Sequence, residues 1–413
     1  MDGREMATSP GRTAVIPCFA LFVAAAGAGW VSAAKNESKI SFWDTQRRGA
    51  NCFNQALSST WWEEAKDAGI GLVRLAPNKW KAVERDFLIG DAGSYDALVD
   101  KDFGKLKSAL DDAQANGIKV ILTTLSLPGD RWRRQNSDQP DFRLWRDKQY
   151  LRQAAAFWKD LAERLAGHPA VVGYNILNEP FPEKAAGFKD VDSQELVKWF
   201  KTVVDTPADL NRFNEAVVTA IRKVDTETPI VIDCGLWADP RAIKYLKPLD
   251  DGKVIYAVHM YEPFDYTNSK SNNGRFVYPS EPPSNKEELA TPEGRVKARL
   301  NPDALAEILD SVVQWQKEHG VPSSRIFVEE FGCDRRVAGA SEYLSDLIDI
   351  FNRNKWHWAF YAFREDGWDA MDYELGTEPV DWHYLDAKDR GEVYKLYKPD
   401  NPVWSVIKKG LAQ

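Results

Sequence analysis

From residue 47 onward, short runs of apolar and β-branched residues alternate with longer stretches whose apolar positions recur at helical spacing. The short runs cover 48–54, 71–76, 119–125, 171–180, 229–235, 254–261, 325–331 and 356–363. Between them, the pattern predicts helices over 60–69, around Leu106, Leu110 and Ala113 up to Gly117, and along Leu151, Ala155, Trp158, Leu161 and Leu165. Further helices are expected over 209–224, 241–246, Leu305–Trp315, Tyr343–Phe351 and 403–411. Thr60 and Glu63 have the spacing of a capping box at the first helix.

Strands apolar on both faces, each followed by a helix and uninterrupted by any linker, predict an α/β protein: one closed (β/α)8 TIM barrel. The rival, an open doubly wound sheet, usually has a G-x-G-x-x-G phosphate turn, and none of these strand-to-helix turns carries one. The helix-to-strand turns are short. Four strand-to-helix loops are long, 126–147, 181–208, 263–299 and 364–402, which puts the chemistry at the C-terminal mouth of the barrel. The fourth strand's loop holds a short extra helix over 194–204, and 263–299, rich in Ser, Asn, Pro and Glu, reads as a mobile rim.

The first residues differ from the rest. Arg4 and Arg12 precede an apolar run over 14–31, and Val31-Ser32-Ala33-Ala34 offers small residues for cleavage. This layout predicts a signal peptide over 1–33 and a secreted or periplasmic catalytic domain over 34–413, with no membrane attachment once cleaved. A retained anchor is the alternative; the run is short for one and is broken by Pro17 and by glycines. A net charge of −8 supplies no basic field for nucleic acid. Cys52, Cys234 and Cys333 fit no zinc spacing and read as small buried residues, with one disulfide possible. With 16 Trp, 14 Tyr and 19 Phe, the chain has aromatics to fill a core and a minority left over to stack on sugar rings.

Two of the strand runs end on acids. Residues 171–180 close on Asn178-Glu179-Pro180, a carboxylate where a proline stops regular pairing, and 325–331 carry Glu329 and Glu330. In a barrel, strands four and seven open into one mouth, and two carboxyls facing each other there are what glycoside cleavage requires. Side chains alternate along a strand, so Glu329 and Glu330 are expected to face opposite ways, and only one of them to be catalytic. Their apolar neighbours do not decide which.

Asn178-Glu179-Pro180, His259-Met260-Tyr261, Glu330-Phe331-Gly332, Arg74 on the second strand and Arg48-Gly49-Ala50-Asn51 on the first follow one another in a familiar order. Across 47–411 the sequence resembles glycoside hydrolase family 5, the cellulase-like branch of the retaining (β/α)8 glycosidases. The resemblance implies that Glu179 is the general acid/base and Glu330 the nucleophile. It also implies that Arg74 and Tyr261 donate to Glu330, that Asn178 holds a sugar 2-hydroxyl, and that His259 binds another hydroxyl. A satisfied core histidine is the alternative for His259. Glu179 has no cation assigned to it and lies near a second acid, so its pKa is expected to rise.

The likeness has departures. Leu125 stands where the family often has histidine, and Phe363 where many members have tryptophan. Trp132, Trp237 and Trp368, with Tyr361, are the candidate stacking faces, against ordinary packing. Glu365, Asp366, Asp369, Asp372 and Glu374 form an acidic loop that suits either calcium or pairing with Arg364, the latter preferred.

The expected function is a secreted retaining β-glycoside hydrolase cleaving a β-linked, 1,4-type glucan without cofactor or metal, acting as a monomer on a polysaccharide or oligosaccharide. A β-mannanase or β-1,3-glucanase on the same scaffold is the near alternative. A non-catalytic sugar-binding barrel has no need of a matched acid and nucleophile. A metal-dependent hydrolase lacks its ligands: of five histidines, only His259 falls near the C-terminal end of a strand's core.

Overall fold

In the computed structural model, which describes residues 38–188, 193–381 and 383–413, parallel strands close into a barrel in strict chain order. They are β1 (Arg48–Cys52), β2 (Leu72–Leu75), β3 (Lys119–Leu122), β4 (Val171–Asn175), β5 (Ile230–Asp233), β6 (Val254–Met260), β7 (Ile326–Phe331) and β8 (His357–Phe360). Each lies inside the apolar run that predicted it. Most stop short of the run's end, because the last residues leave the sheet to build the mouth. The signal peptide expected over 1–33 lies outside the described residues.

Around the barrel pack α1 (Ser59–Asp67), α2 (Asp100–Ala115), α3 (Lys148–Leu165), α4 (Leu210–Arg222), α5 (Pro302–His319), α6 (Ala340–Arg353) and α7 (Pro402–Ala412). Their ends follow local chemistry. Asp147 and Asp209 accept from backbone amides of the first turns of α3 and α4, and Asn301 caps α5 ahead of Pro302. The extra helix over Gln194–Thr202 is present, capped by Ser193.

Two local expectations are corrected. Thr60 already lies inside α1, so no capping box forms; Ser58 takes the N-cap position and its hydroxyl meets that of Thr60 at 2.7 Å. The helix expected over 241–246 is a 3-10 turn, Pro240–Tyr245, opened by Asp239 accepting from the Arg241 amide. The rim at 263–299 carries four short helices, Phe264–Thr267, Ser269–Asn272, Lys286–Ala290 and Pro292–Lys297. Cys52, Cys234 and Cys333 are buried and free, so the possible disulfide is not made among them. No helix of the described residues is long and apolar enough to cross a membrane.

Inside the barrel, Leu72, Ile121, Val231, Ile255, Ala257, Phe327 and Ala359 form an apolar cluster together with Trp43. Trp43 sits on the 3-10 turn Lys39–Asp44 before β1, and its indole donates to the Val172 carbonyl at 2.9 Å. Two residues further along their strands, the same faces become polar, with Arg74, Thr123, Asp233, His259 and Glu329 all buried. Burial on this scale demands partners, and these side chains find them in one another.

The expectation that Glu329 and Glu330 face opposite ways is overturned by the register of β7. Val328 pairs with Val258, but the next β6 residue, His259, pairs with Glu330, so Glu329 is an extra residue in β7. This β-bulge interrupts the two-residue alternation and turns both acids towards Arg74. A bulge leaves a backbone group unpaired, and Asn51 Nδ2 supplies a partner, donating to the Glu329 carbonyl at 2.8 Å.

Candidate active site

β4 ends at Asn175, and the chain reaches Glu179 through Ile176–Asn178. Glu179 has φ 51°, a left-handed conformation that costs a non-glycine residue about 1–2 kcal/mol. The cost is met locally: the Glu179 amide donates to Asp233 Oδ2 at 2.9 Å, and the Asn178 amide to the Thr124 carbonyl at 3.1 Å. The result aims Glu179 across the mouth. One carboxylate oxygen of Glu179, one of Glu330 and a ring nitrogen of His259 all lie within 4.8 Å of one another.

Glu330 is held on both oxygens. Arg74 Nη1 donates to Oε1 at 2.5 Å and the Tyr261 hydroxyl to Oε2 at 2.8 Å. Arg74 itself is fixed by Asn51 Oδ1 at 3.1 Å, Asn175 Oδ1 at 2.8 Å and Asn178 Oδ1 at 2.6 Å. Its Nε lies 3.1 Å from Glu329 Oε2. His259 Nδ1 is 3.1 Å from Glu179 Oε1 and 3.6 Å from Glu330 Oε2, while Nε2 is 3.3 Å from Glu329 Oε1. Glu179 therefore does have a neighbour able to carry positive charge, contrary to the sequence expectation, and His259 is no isolated core histidine.

Electrostatics sorts these groups. Burial alone would strip charge from Arg74 and His259, but the surrounding carboxylates outweigh it: Glu329 and Glu330 for Arg74, Glu330, Glu179 and Glu329 for His259. Both cations are held well above their ordinary pKa. Burial works to raise Glu329, yet Arg74, a hydrogen bond from Asp233 and His259 pull it down to about 2. Asp233 goes the other way, raised well above the carboxylate range by burial and by the Glu329 charge beside it. Tyr261 is likewise raised, by burial first and then by Glu330, so its phenol stays a donor.

Above this floor opens a cleft of about 510 Å³, lined by Glu179, Glu330, Asn178 and Tyr261 and walled by Phe53, Leu125, Trp132, Tyr361 and Trp368. Trp132 lies beneath the Lys79 ammonium at 5.5 Å, and Lys79 pairs with Glu365 at 2.6 Å. Trp368 is 39% exposed and meets Tyr361 at 6.0 Å between centroids, presenting a face to the cleft. Trp237 is not among the lining residues; it is 43% exposed and packs on Phe181 at 3.5 Å, next to Lys184. Phe363 is core, stacked on Trp404 and edge-on to Trp61. The glycine of Glu330-Phe331-Gly332 has a steric reason, since a Cβ there would sit 2.5 Å from the Tyr373 hydroxyl.

The acidic loop is tied to the protein's own donors. Arg364 pairs with Glu374 at 2.5 Å, Asp369 with Arg335 at 2.8 Å, and Asp366 accepts the amides of Gln55 and Ala56. What sequence reading missed lies in the floor: Asp233, Asn175, the contacts of Asn51 and the shared inward turn of Glu329 and Glu330. Asp233 had a signal, a charged residue two positions after an inward valine in an otherwise apolar strand.

A closed barrel whose mouth sets two carboxyls against each other under aromatic walls belongs with the O-glycosyl hydrolases. Residues 33–367 match the model for cellulase (glycosyl hydrolase family 5), and the chain belongs to that family. Endoglucanase C of Acetivibrio thermocellus is 20% identical over 338 residues, spanning 76% of this chain and 85% of the relative. The endoglucanase Cel5A of Thermotoga maritima in complex with cellobiose superposes with a TM-score of 0.59 at 16% identity, covering 89% of this chain and 99% of that one. Cel5A of Pseudomonas stutzeri gives 0.56 at 20% identity over 89% of this chain and 94% of its own.

Proposed function

We propose that the protein is a retaining β-glycosidase that cleaves a β-linked glucan, of the 1,4-linked type, by double displacement. The observation that carries this reading is the approach of Glu179 and Glu330 oxygens to within 4.8 Å. Retaining enzymes hold their carboxyls roughly 5 Å apart, whereas inverting enzymes leave a wider gap for water. Endoglucanases among the relatives support glucan as the substrate class.

In the first step Glu330 attacks the anomeric carbon as Glu179 gives its proton to the departing glycosidic oxygen, and a glycosyl ester of Glu330 forms. Arg74 and Tyr261 donate to the two Glu330 oxygens and hold them aimed until bond formation. Glu179, now a carboxylate, then takes a proton from water, which attacks the same carbon and frees Glu330. Asn178 is positioned by Arg74 to meet the sugar 2-hydroxyl, and Trp132, Tyr361 and Trp368 supply stacking faces. The layout of residues 1–33 supports export before this chemistry takes place.

Reducing-end release from cellulose, barley glucan, mannan and laminarin tests the substrate class. The reading expects cellulose or barley glucan to be cleaved fastest, with a product whose anomeric configuration is retained in early NMR spectra. Preference for mannan or laminarin would move the specificity to the alternatives, and inversion would remove the double displacement.

A further inference from the structure

Double displacement uses two carboxyls, yet four converge on His259. Asp233 and Glu329 take no part in the steps above, and both are fully buried beneath the cleft. Glu329 lies there two residues beyond inward Phe327, with Oε2 3.1 Å from Arg74 Nε and Oε1 3.3 Å from His259 Nε2, and the β7 bulge brings Glu330 in beside it. Asp233 hydrogen-bonds Glu329, accepts from Asn175 Nδ2 at 2.5 Å and from the Glu179 amide at 2.9 Å, and lies 3.7 Å from His259 Nε2. Two carboxylates in direct contact in so dry a place cannot both be charged. One proton must lie between them, and the guanidinium beside Glu329 puts the negative charge on Glu329.

We propose that Glu329 is a fixed counter-ion that keeps His259 a charged imidazolium through both halves of the reaction, with protonated Asp233 clamping Glu329 in place. The inference rests on the reading of Glu179 and Glu330 as the reacting pair. The imidazolium Nδ1 faces both of them, at 3.1 and 3.6 Å. When the glycosyl ester forms, the negative charge on Glu330 disappears and an equal charge appears on Glu179. His259 sits beside the charge in either state, so the buried cluster keeps its net charge without exchanging a proton with solvent. Every charged or titratable group that faces the ring enters this balance: Glu329 and Glu330 from β7, Asp233 from β5, Glu179 beyond β4, Tyr261 beyond β6, and Arg74 from β2 behind the two β7 acids. Asp233, Glu329 and His259 are positioning residues in this account, acting through Glu179 and Glu330.

The test reads the histidine itself. In protein labelled with nitrogen-15 at histidine, with His259→Gln used to assign the signal, both ring nitrogens of His259 should remain protonated well above the ordinary imidazole range. Glu329→Gln should bring that titration to lower pH and lower kcat/KM by ~10–100-fold. Glu329→Asp should restore part of the loss. Asp233→Asn, which keeps a donor towards Glu329, should lose less and leave the His259 titration high. A neutral His259 in the wild type at about pH 7 overturns the proposal, as does an unmoved His259 titration in folded Glu329→Gln. A larger loss in Asp233→Asn than in Glu329→Gln would put the anion on Asp233 and overturn it too. If the glycosidase reading fails instead, activity is missing while the imidazolium and its dependence on Glu329 are still measured.

Discussion

Arg74 and Glu330 meet at 2.5 Å through Nη1 and Oε1, and the same guanidinium turns its Nε to Glu329 Oε2 at 3.1 Å. One buried cation thus serves two buried acids that are neighbours in the chain. Replacing Arg74 with methionine leaves both without it. Because stranding a buried charge is costly, Arg74→Met should lose about 3–5 kcal/mol of unfolding free energy in urea titrations, along with activity. Unchanged stability would mean that the acids are neutral in the fold.

Tyr261 holds the other oxygen of Glu330 at 2.8 Å. Removing a hydrogen bond to a charged group costs roughly 1.5–3 kcal/mol, so Tyr261→Phe should lower kcat by about 10–100-fold. KM should change less, since in the proposed mechanism the hydroxyl serves Glu330 as nucleophile and not the ground-state sugar. A change confined to KM would make Tyr261 a binding residue only.

The barrel was legible because each strand is a short apolar run between helices of helical period, a pattern that survives without knowledge of tertiary contacts. Glu179 and Glu330 were legible as acids at strand ends, Arg74 and Tyr261 only through the family resemblance. That Glu329 and Glu330 both face the mouth was not. Glu329 follows inward Phe327 by two residues, whereas Glu330 joins it only because β7 shifts register against β6, and that bulge is set by pairing across strands. Trp237 stands apart from the lining of that cleft: residues just beyond a strand can turn either way, and here Leu236, Trp237 and Ala238 all take positive φ and set the indole against Phe181.

Trp43 packs into the apolar end of the barrel, far along the strands from the reacting pair, and is fully buried. Trp43→Ala should cost about 3–5 kcal/mol by opening a cavity that neighbouring strands cannot fill. At low temperature the folded fraction should keep its kcat. Loss of kcat in protein that is still folded would tie the barrel floor to the chemistry.

Asp372 is buried beside Glu374, and burial followed by that charge pushes its pKa up to about 8, while its Oδ1 has no hydrogen-bond partner among the described residues. A carboxyl raised in the fold contributes stability that is complete below its ordinary pKa and is lost as pH rises towards the raised value. The melting temperature should therefore decline between about pH 5 and 8, and Asp372→Asn should flatten that decline by roughly 1–3 °C. An equal slope in wild type and variant would show that Asp372 ionises freely.

The most direct measurement is azide rescue at the two adjacent acids, using an aryl β-cellobioside. Glu330→Gly should lose hydrolysis by ~10³-fold or more and, with azide added, form the α-configured glycosyl azide from the vacated face. Glu329→Gly should yield no such product. An α-glycosyl azide from Glu329→Gly, or none from folded Glu330→Gly, would contradict the assignment of Glu330 as the nucleophile.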